Sequence, residues 1–154
     1  MKISSIAIVL LGFMLNPFTN VQAQDVKAND IVGVWLTQDK DSHVEIYKEG
    51  DKYFGKIIWL ETPNDSITGK PKLDDKNPDP ALQNRPIMGL NLLSNFVFDG
   101  ENEWENGKIY DPKKGKTYSC YMEFTDKQKD RLKIRGYIGI SLLGRTVYWT
   151  RVKK

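Results

Sequence analysis

Tyr118-Ser119-Cys120-Tyr121-Met122-Glu123-Phe124 sends Tyr118, Cys120, Met122 and Phe124 to one side of an extended chain and Ser119, Tyr121 and Glu123 to the other. A two-residue period marks a strand with one buried face, because successive side chains of a pleated backbone point in opposite directions. The pattern recurs on both sides of this stretch. Ser42 to Lys48 sets Val44 and Ile46 against His43, Glu45 and Tyr47, while Tyr53 to Glu61 sets Tyr53, Gly55, Ile57 and Trp59 against Phe54, Lys56, Ile58 and Leu60. Ile31 to Gln38, Leu92 to Phe98, Arg131 to Ile138 and Arg145 to Val152 complete the set. No segment sustains a helical period. About eight strands, spaced by roughly 8 to 12 residues, predict an all-β antiparallel domain. Short links favour an up-and-down meander that closes into a barrel, since closure removes exposed sheet edges.

The turns follow from glycine, proline and short polar residues. Glu49-Gly50-Asp51-Lys52, Asp99-Gly100 and Asp111-Pro112-Lys113-Lys114-Gly115 each read as a reversal. Asn106-Gly107, between Trp104-Glu105 and Lys108-Ile109-Tyr110, predicts the tightest hairpin of the chain, because both central residues of a type I′ turn need positive φ.

One long stretch, Asp74 to Leu90, departs from strand pattern. Asp79 followed by Pro80, Ala81 and Leu82 offers an N-cap acceptor and a proline at the first helical position, so a short helical turn starts there and ends by Arg85, ahead of Pro86. Pro71, Pro78, Pro80 and Pro86 stiffen the connection, which predicts an ordered flap across the mouth of the barrel.

Met1 to Ala23 carries Lys2, an apolar run from Ile6 to Leu15 and Val21-Gln22-Ala23, the pattern of a cleaved secretory signal. The expected mature chain, residues 24 to 154, is long enough for a single β-barrel domain, periplasmic or secreted, and contains no transmembrane segment. Without Lys2 the basic residues fall from 23 to 22 against 20 acidic ones, too small and too scattered an excess for nucleic acid. Cys120 is the only cysteine and falls on the apolar face of its strand, so it reads as a small core side chain. His43 is the only histidine and lacks partners for a metal site or a nucleophilic triad. No catalytic, metal or cofactor residues are expected.

Polar binding chemistry rests on amides, carboxylates, guanidinium groups and phenols. Arginine suits the two-point grip of a carboxylate or phosphate. The candidate ligand-binding residues are Asn77, Asp79, Asn84 and Arg85 on the flap, Tyr110 and Asp111 at a strand end, and Arg135 and Tyr137 on one strand face. Each has a plainer reading: Asp79 and Asp111 as caps and turn formers, Arg85 as a clamp on a buried Asp111 or Asp79, and Arg135 as a surface charge. The many aromatics point to a narrow or filled interior, with any ligand held at the mouth.

Gly33-Val34-Trp35 in the first strand and Trp149-Thr150-Arg151 in the last resemble the lipocalin or calycin pattern, in which an arginine of the final strand packs over the first-strand tryptophan at the closed end. A wider resemblance runs through Asn77-Pro78-Asp79-Pro80, Leu82-Gln83-Asn84-Arg85-Pro86, Trp104 to Pro112, Gly115-Lys116-Thr117-Tyr118, Leu132 to Tyr137 and Gly144-Arg145-Thr146. These blocks, in order with the first, are similar to the exported bacterial family called domain of unknown function 2147. That resemblance implies export and a barrel-like fold and carries no activity with it.

Together these readings predict a non-enzymatic, lipocalin-like barrel that takes a small amphipathic or anionic ligand at its mouth. An envelope structural or protein-interaction module is the first alternative. A carboxylate-dependent hydrolase, pairing Asp79 with Asp111, is the second.

Overall fold

The computed structural model describes residues 25 to 153. The expected signal segment, residues 1 to 23, lies outside them. The chain forms one closed antiparallel barrel in which eight strands follow one another in chain order. They are β1 (Gly33–Leu36), β2 (Ser42–Glu49), β3 (Lys52–Leu60), β4 (Asn91–Phe98), β5 (Glu103–Asp111), β6 (Lys116–Phe124), β7 (Arg131–Tyr137) and β8 (Gly144–Arg151). Single 3-10 turns occupy Ala28–Ile31 and Pro80–Leu82. Among the described residues no helix is long and apolar enough to cross a membrane.

The alternation of β6 is realised as read: Cys120, Met122 and Phe124 are buried and face the core, whereas Tyr121 and Glu123 are only partly covered. Cys120 is a buried free thiol whose pKa burial pushes up. Closure comes from β1 and β8, which pair antiparallel with Trp35 opposite Arg151 and Leu36 opposite Thr150.

That pairing forms the closed end. The Arg151 guanidinium lies 4.2 Å from the centre of the Trp35 ring and donates to the carbonyls of Asp30, Val32 and Lys129 at 2.6, 3.2 and 3.0 Å. Gly33 makes room for it, since a Cβ there would stand 2.9 Å from an Arg151 nitrogen and the glycine φ of +142° is unsuited to other residues. Trp35, Trp104 and Phe124 fill the interior beneath; Trp104 meets Phe124 edge-on at 5.3 Å. Both indole N–H groups find backbone partners in the 3-10 turn that plugs this end, Trp35 on Ile31 and Trp104 on Ala28. Burying an indole without a partner for its N–H is costly, so the plug and the aromatic cluster need each other.

Two local expectations are corrected. Asn106-Gly107 makes no hairpin but lies inside β5, where the register against β6 shifts between Trp104 and Gly107. Asn106 takes φ +60°, as its turn chemistry allows, but in a bulge. Gly107 is there for space: a Cβ would fall 2.3 Å from the Phe96 ring. The second correction concerns β3, where a register shift opposite His43 and Val44 breaks the alternation after Ile57. Trp59 therefore leaves the interior and packs its ring 4.6 Å from that of His43, on a partly exposed surface.

Candidate functional site

Toward the other end the inward residues of the same strands change character. Ile57 of β3, Ile109 of β5, Ile134 of β7 and Val147 of β8 surround a cavity of about 910 Å³, with Tyr118 among its walls and Trp149, buried among the core residues, also lining it. Gly136 leaves the space beside Ile109 open, since a Cβ there would reach within 3.3 Å of the Ile109 side chain. Ile87 and Leu73 come in from the long β3–β4 connection, so this segment forms part of the cavity wall, as expected of a flap.

The rim is charged. Lys70, Lys72 and Lys76 come from the connection, Lys113 and Lys114 from the β5–β6 turn and Arg145 from β8, interspersed with Asp39, Asp41, Asp65, Asp75 and Asp111. Lys113 pairs with Asp41 at 2.8 Å and Lys114 approaches Asp111 at 3.9 Å, while Lys76 donates to the Lys113 carbonyl. Burial pushes the Asp41 carboxyl up, but Lys113, Thr37 and Ser42 outweigh it and hold the group below the usual aspartate range. Among the described residues Lys70, Lys72 and Arg145 make no salt bridge, which leaves them free to meet an anion.

The flap is pinned by one buried carboxylate. Asp74 is fully buried and receives the Tyr110 hydroxyl at 2.5 Å, the Asn77 amide at 2.8 Å, and Nε and Nη2 of Arg85 at 2.9 and 2.8 Å. The two arginine nitrogens share one carboxylate oxygen, and the Arg85 group also lies 5.7 Å from the centre of the Tyr110 ring. Burial, then the neighbouring Asp74 carboxylate, pushes the Tyr110 phenol up, so it stays protonated and serves as a donor. Arg85 is thus a clamp, but its partner is Asp74 and not Asp111 or Asp79. Asp79 is spent on the Ala81 N–H, where it caps the 3-10 turn, and Asp111 accepts from the Lys113 N–H in its own turn.

Of the residues expected to touch a ligand, Tyr110, Asp111 and Tyr137 line the cavity. Asn77, Asp79, Asn84 and Arg85 do not: Asn77 and Arg85 are consumed by the clamp, and Asp79 and Asn84 are exposed away from the lining. Arg135 points outward and holds the β7–β8 loop through the carbonyls of Ser141 and Leu142 and the Thr146 hydroxyl. The aliphatic walls and the rim lysines Lys70 and Lys72 were not among the expected residues. An aliphatic side chain facing a cavity looks the same in sequence as one facing a core. The available signal was the contrast along single strands, Trp104 against Ile109 in β5 and Trp149 against Val147 in β8.

A match to the family described as uncharacterized protein conserved in bacteria (DUF2147) spans residues 33 to 151. The chain belongs to this family. A search of curated proteins gives no match. Among solved structures the DUF2147 barrel is similar to protein HP1028 from the human pathogen Helicobacter pylori, described as belonging to the lipocalin family, with a TM-score of 0.68 and 27% identity over 80% of this chain and 84% of that one. The fold of this DUF2147 member is therefore lipocalin-like.

Proposed function

We propose that the protein is an exported, non-enzymatic binding barrel, periplasmic or secreted, that holds one small amphipathic molecule with its apolar part in the cavity and an anionic group at the rim. The observation that carries this reading is the cavity in the upper half of the barrel, walled by branched aliphatics with Tyr118 and Trp149 among them, above a lower half packed with aromatics. The space of about 910 Å³ suits a ligand of moderate size, and an eight-stranded barrel is just wide enough to hold one. Lys70, Lys72 and Arg145 supply cations that no carboxylate partner neutralises among the described residues. The lipocalin-like fold supports the same reading.

Native mass spectrometry of protein recovered from the periplasmic fraction of its own cells tests location and cargo together. The expected result is a mature mass with a retained small molecule. A matching assay uses anilinonaphthalene sulfonate, an anionic amphiphile whose emission rises in apolar surroundings. Val147→Phe, which fills the cavity, should weaken its binding by about tenfold or more, roughly 1.4 kcal/mol. Equal binding by the wild type and the filled variant, with no retained molecule, would refute the proposal.

A further inference from the structure

The β7–β8 loop, Ile138 to Leu143, places aliphatic side chains where a surface loop ordinarily carries polar ones. Ile138, Ile140, Leu142 and Leu143 are 66%, 60%, 83% and 71% exposed. Contiguous apolar exposure of this kind marks a contact surface. We propose that this loop is a docking tip that seats the open end of the barrel on the surface of an anionic phospholipid bilayer.

The loop is built for that task in its backbone as well as its side chains. Arg135 donates to the Ser141 carbonyl through Nε and Nη2 at 2.9 and 2.6 Å, and to the Leu142 carbonyl at 3.2 Å. The Leu143 N–H bonds to the Ile140 carbonyl at 3.0 Å. Carbonyls entering a bilayer interface lose water, so internal partners lower the cost of insertion while the aliphatic side chains gain from it. The guanidinium that holds the loop is itself a cation just behind the tip.

Charge selects the partner. The cations beside the tip are Arg135 of β7 and Arg145 of β8, at the loop end of that strand pair; Arg145 makes no salt bridge among the described residues, and neither strand carries an Asp or Glu. Basic groups behind an apolar tip are attracted to anionic headgroups. A second copy of the chain fits less well, because a symmetric contact between two such tips brings Arg135 and Arg145 against their own counterparts. Ile67, 92% exposed, adds an apolar point on the same end: its neighbours Asp65 and Thr68 line the cavity together with Ile138 and Leu143. Apolar surface therefore runs from the outer tip to the cavity wall.

This inference does not rest on the cavity holding a ligand, and the two are separable. Purified protein is mixed with vesicles of phosphatidylcholine alone, or of phosphatidylcholine with about one-third phosphatidylglycerol, and floated on a density gradient. The wild type should float with the anionic vesicles only, and less so as salt rises from about 0.05 M to about 0.5 M. Ile140→Asp with Leu142→Asp, neither residue lining the cavity, should reduce the floated fraction by about tenfold or more while leaving anilinonaphthalene sulfonate binding as in the wild type. Val147→Phe should do the reverse. Leu142→Trp should keep vesicle binding and shift its emission to the blue when anionic vesicles are added. Wild type that fails to float, or an aspartate pair that floats as well as wild type, overturns the proposal. So does a wild-type dimer that the aspartate pair dissociates without any vesicle binding, which assigns the tip to a second copy.

Discussion

At the closed end Phe124 packs against both Trp35 and Trp104 and both indoles bond to the backbone of the plug, while at the open end Ile109, Ile134 and Val147 line a cavity of about 910 Å³. The two regions are built on the same strands. Their difference is one of packing: aromatic residues with satisfied N–H groups close one end, and at the other branched aliphatics, with Tyr118 and Trp149 among them, stand around a cavity. Stability is thus concentrated where nothing needs to bind, and the end that faces the proposed ligand is left unfilled.

The largest expected effect tests that concentration directly. Trp35→Ala should cost about 3 to 5 kcal/mol in urea unfolding, because it removes the ring from a close-packed cluster and strands Arg151 above it. Val147→Ala, made on the cavity wall, should cost less than about 1 kcal/mol, since few packed neighbours are lost there. Equal costs at the two positions would erase the contrast between the ends.

A smaller effect is expected at the flap. Asp74→Ala leaves the Arg85, Asn77 and Tyr110 donors without their acceptor, at a cost of about 2 kcal/mol given that Arg85 keeps partial access to water. The loss should be local. Hydrogen exchange in residues 74 to 90 should accelerate well before the core strands respond. Protection in the flap equal to wild type would show that the prolines alone hold it.

The mildest difference is one of pH, and it bears on both ends. At the closed end burial pushes the Asp30 carboxyl up, but Lys129, at 2.5 Å, and the Lys27 N–H outweigh it and hold the group below the usual aspartate range. At the open end Asp41 is depressed in the same way against Lys113. A carboxyl whose folded pKa lies below its unfolded value of about 3.9 adds stability that is present above that value and lost as pH falls through the folded one. Urea midpoints should therefore decline as pH drops below about 4, and Asp30→Asn should flatten part of that decline. An unchanged acid slope in Asp30→Asn would remove the plug from this account.

The barrel was readable in the chain because a two-residue period survives in single strands and because Gly33-Val34-Trp35 and Arg151 stand where closure needs them. The interior was harder to read. Asn106-Gly107 has hairpin chemistry, yet Phe96 across the sheet requires the missing Cβ of Gly107, and the left-handed residue beside it is spent on a bulge. The placement of the polar residues was hard to read in a similar way. Arg85 and Asn77 carry the groups that bind anions, but the buried Asp74 had already claimed them, and nothing in the spacing of the chain names that acid over Asp79 or Asp111.

The seam between β1 and β8 sets a timetable for assembly. Trp35 lies on the first strand of the barrel and Arg151 on the last, so the indole gains its cover only after all the strands between them have been synthesised. Pairing β1 with β8 therefore closes a loop that spans the six strands between them, and its closure entropy is met only when β8 docks. The pair that locks the finished barrel is also the last contact to become available.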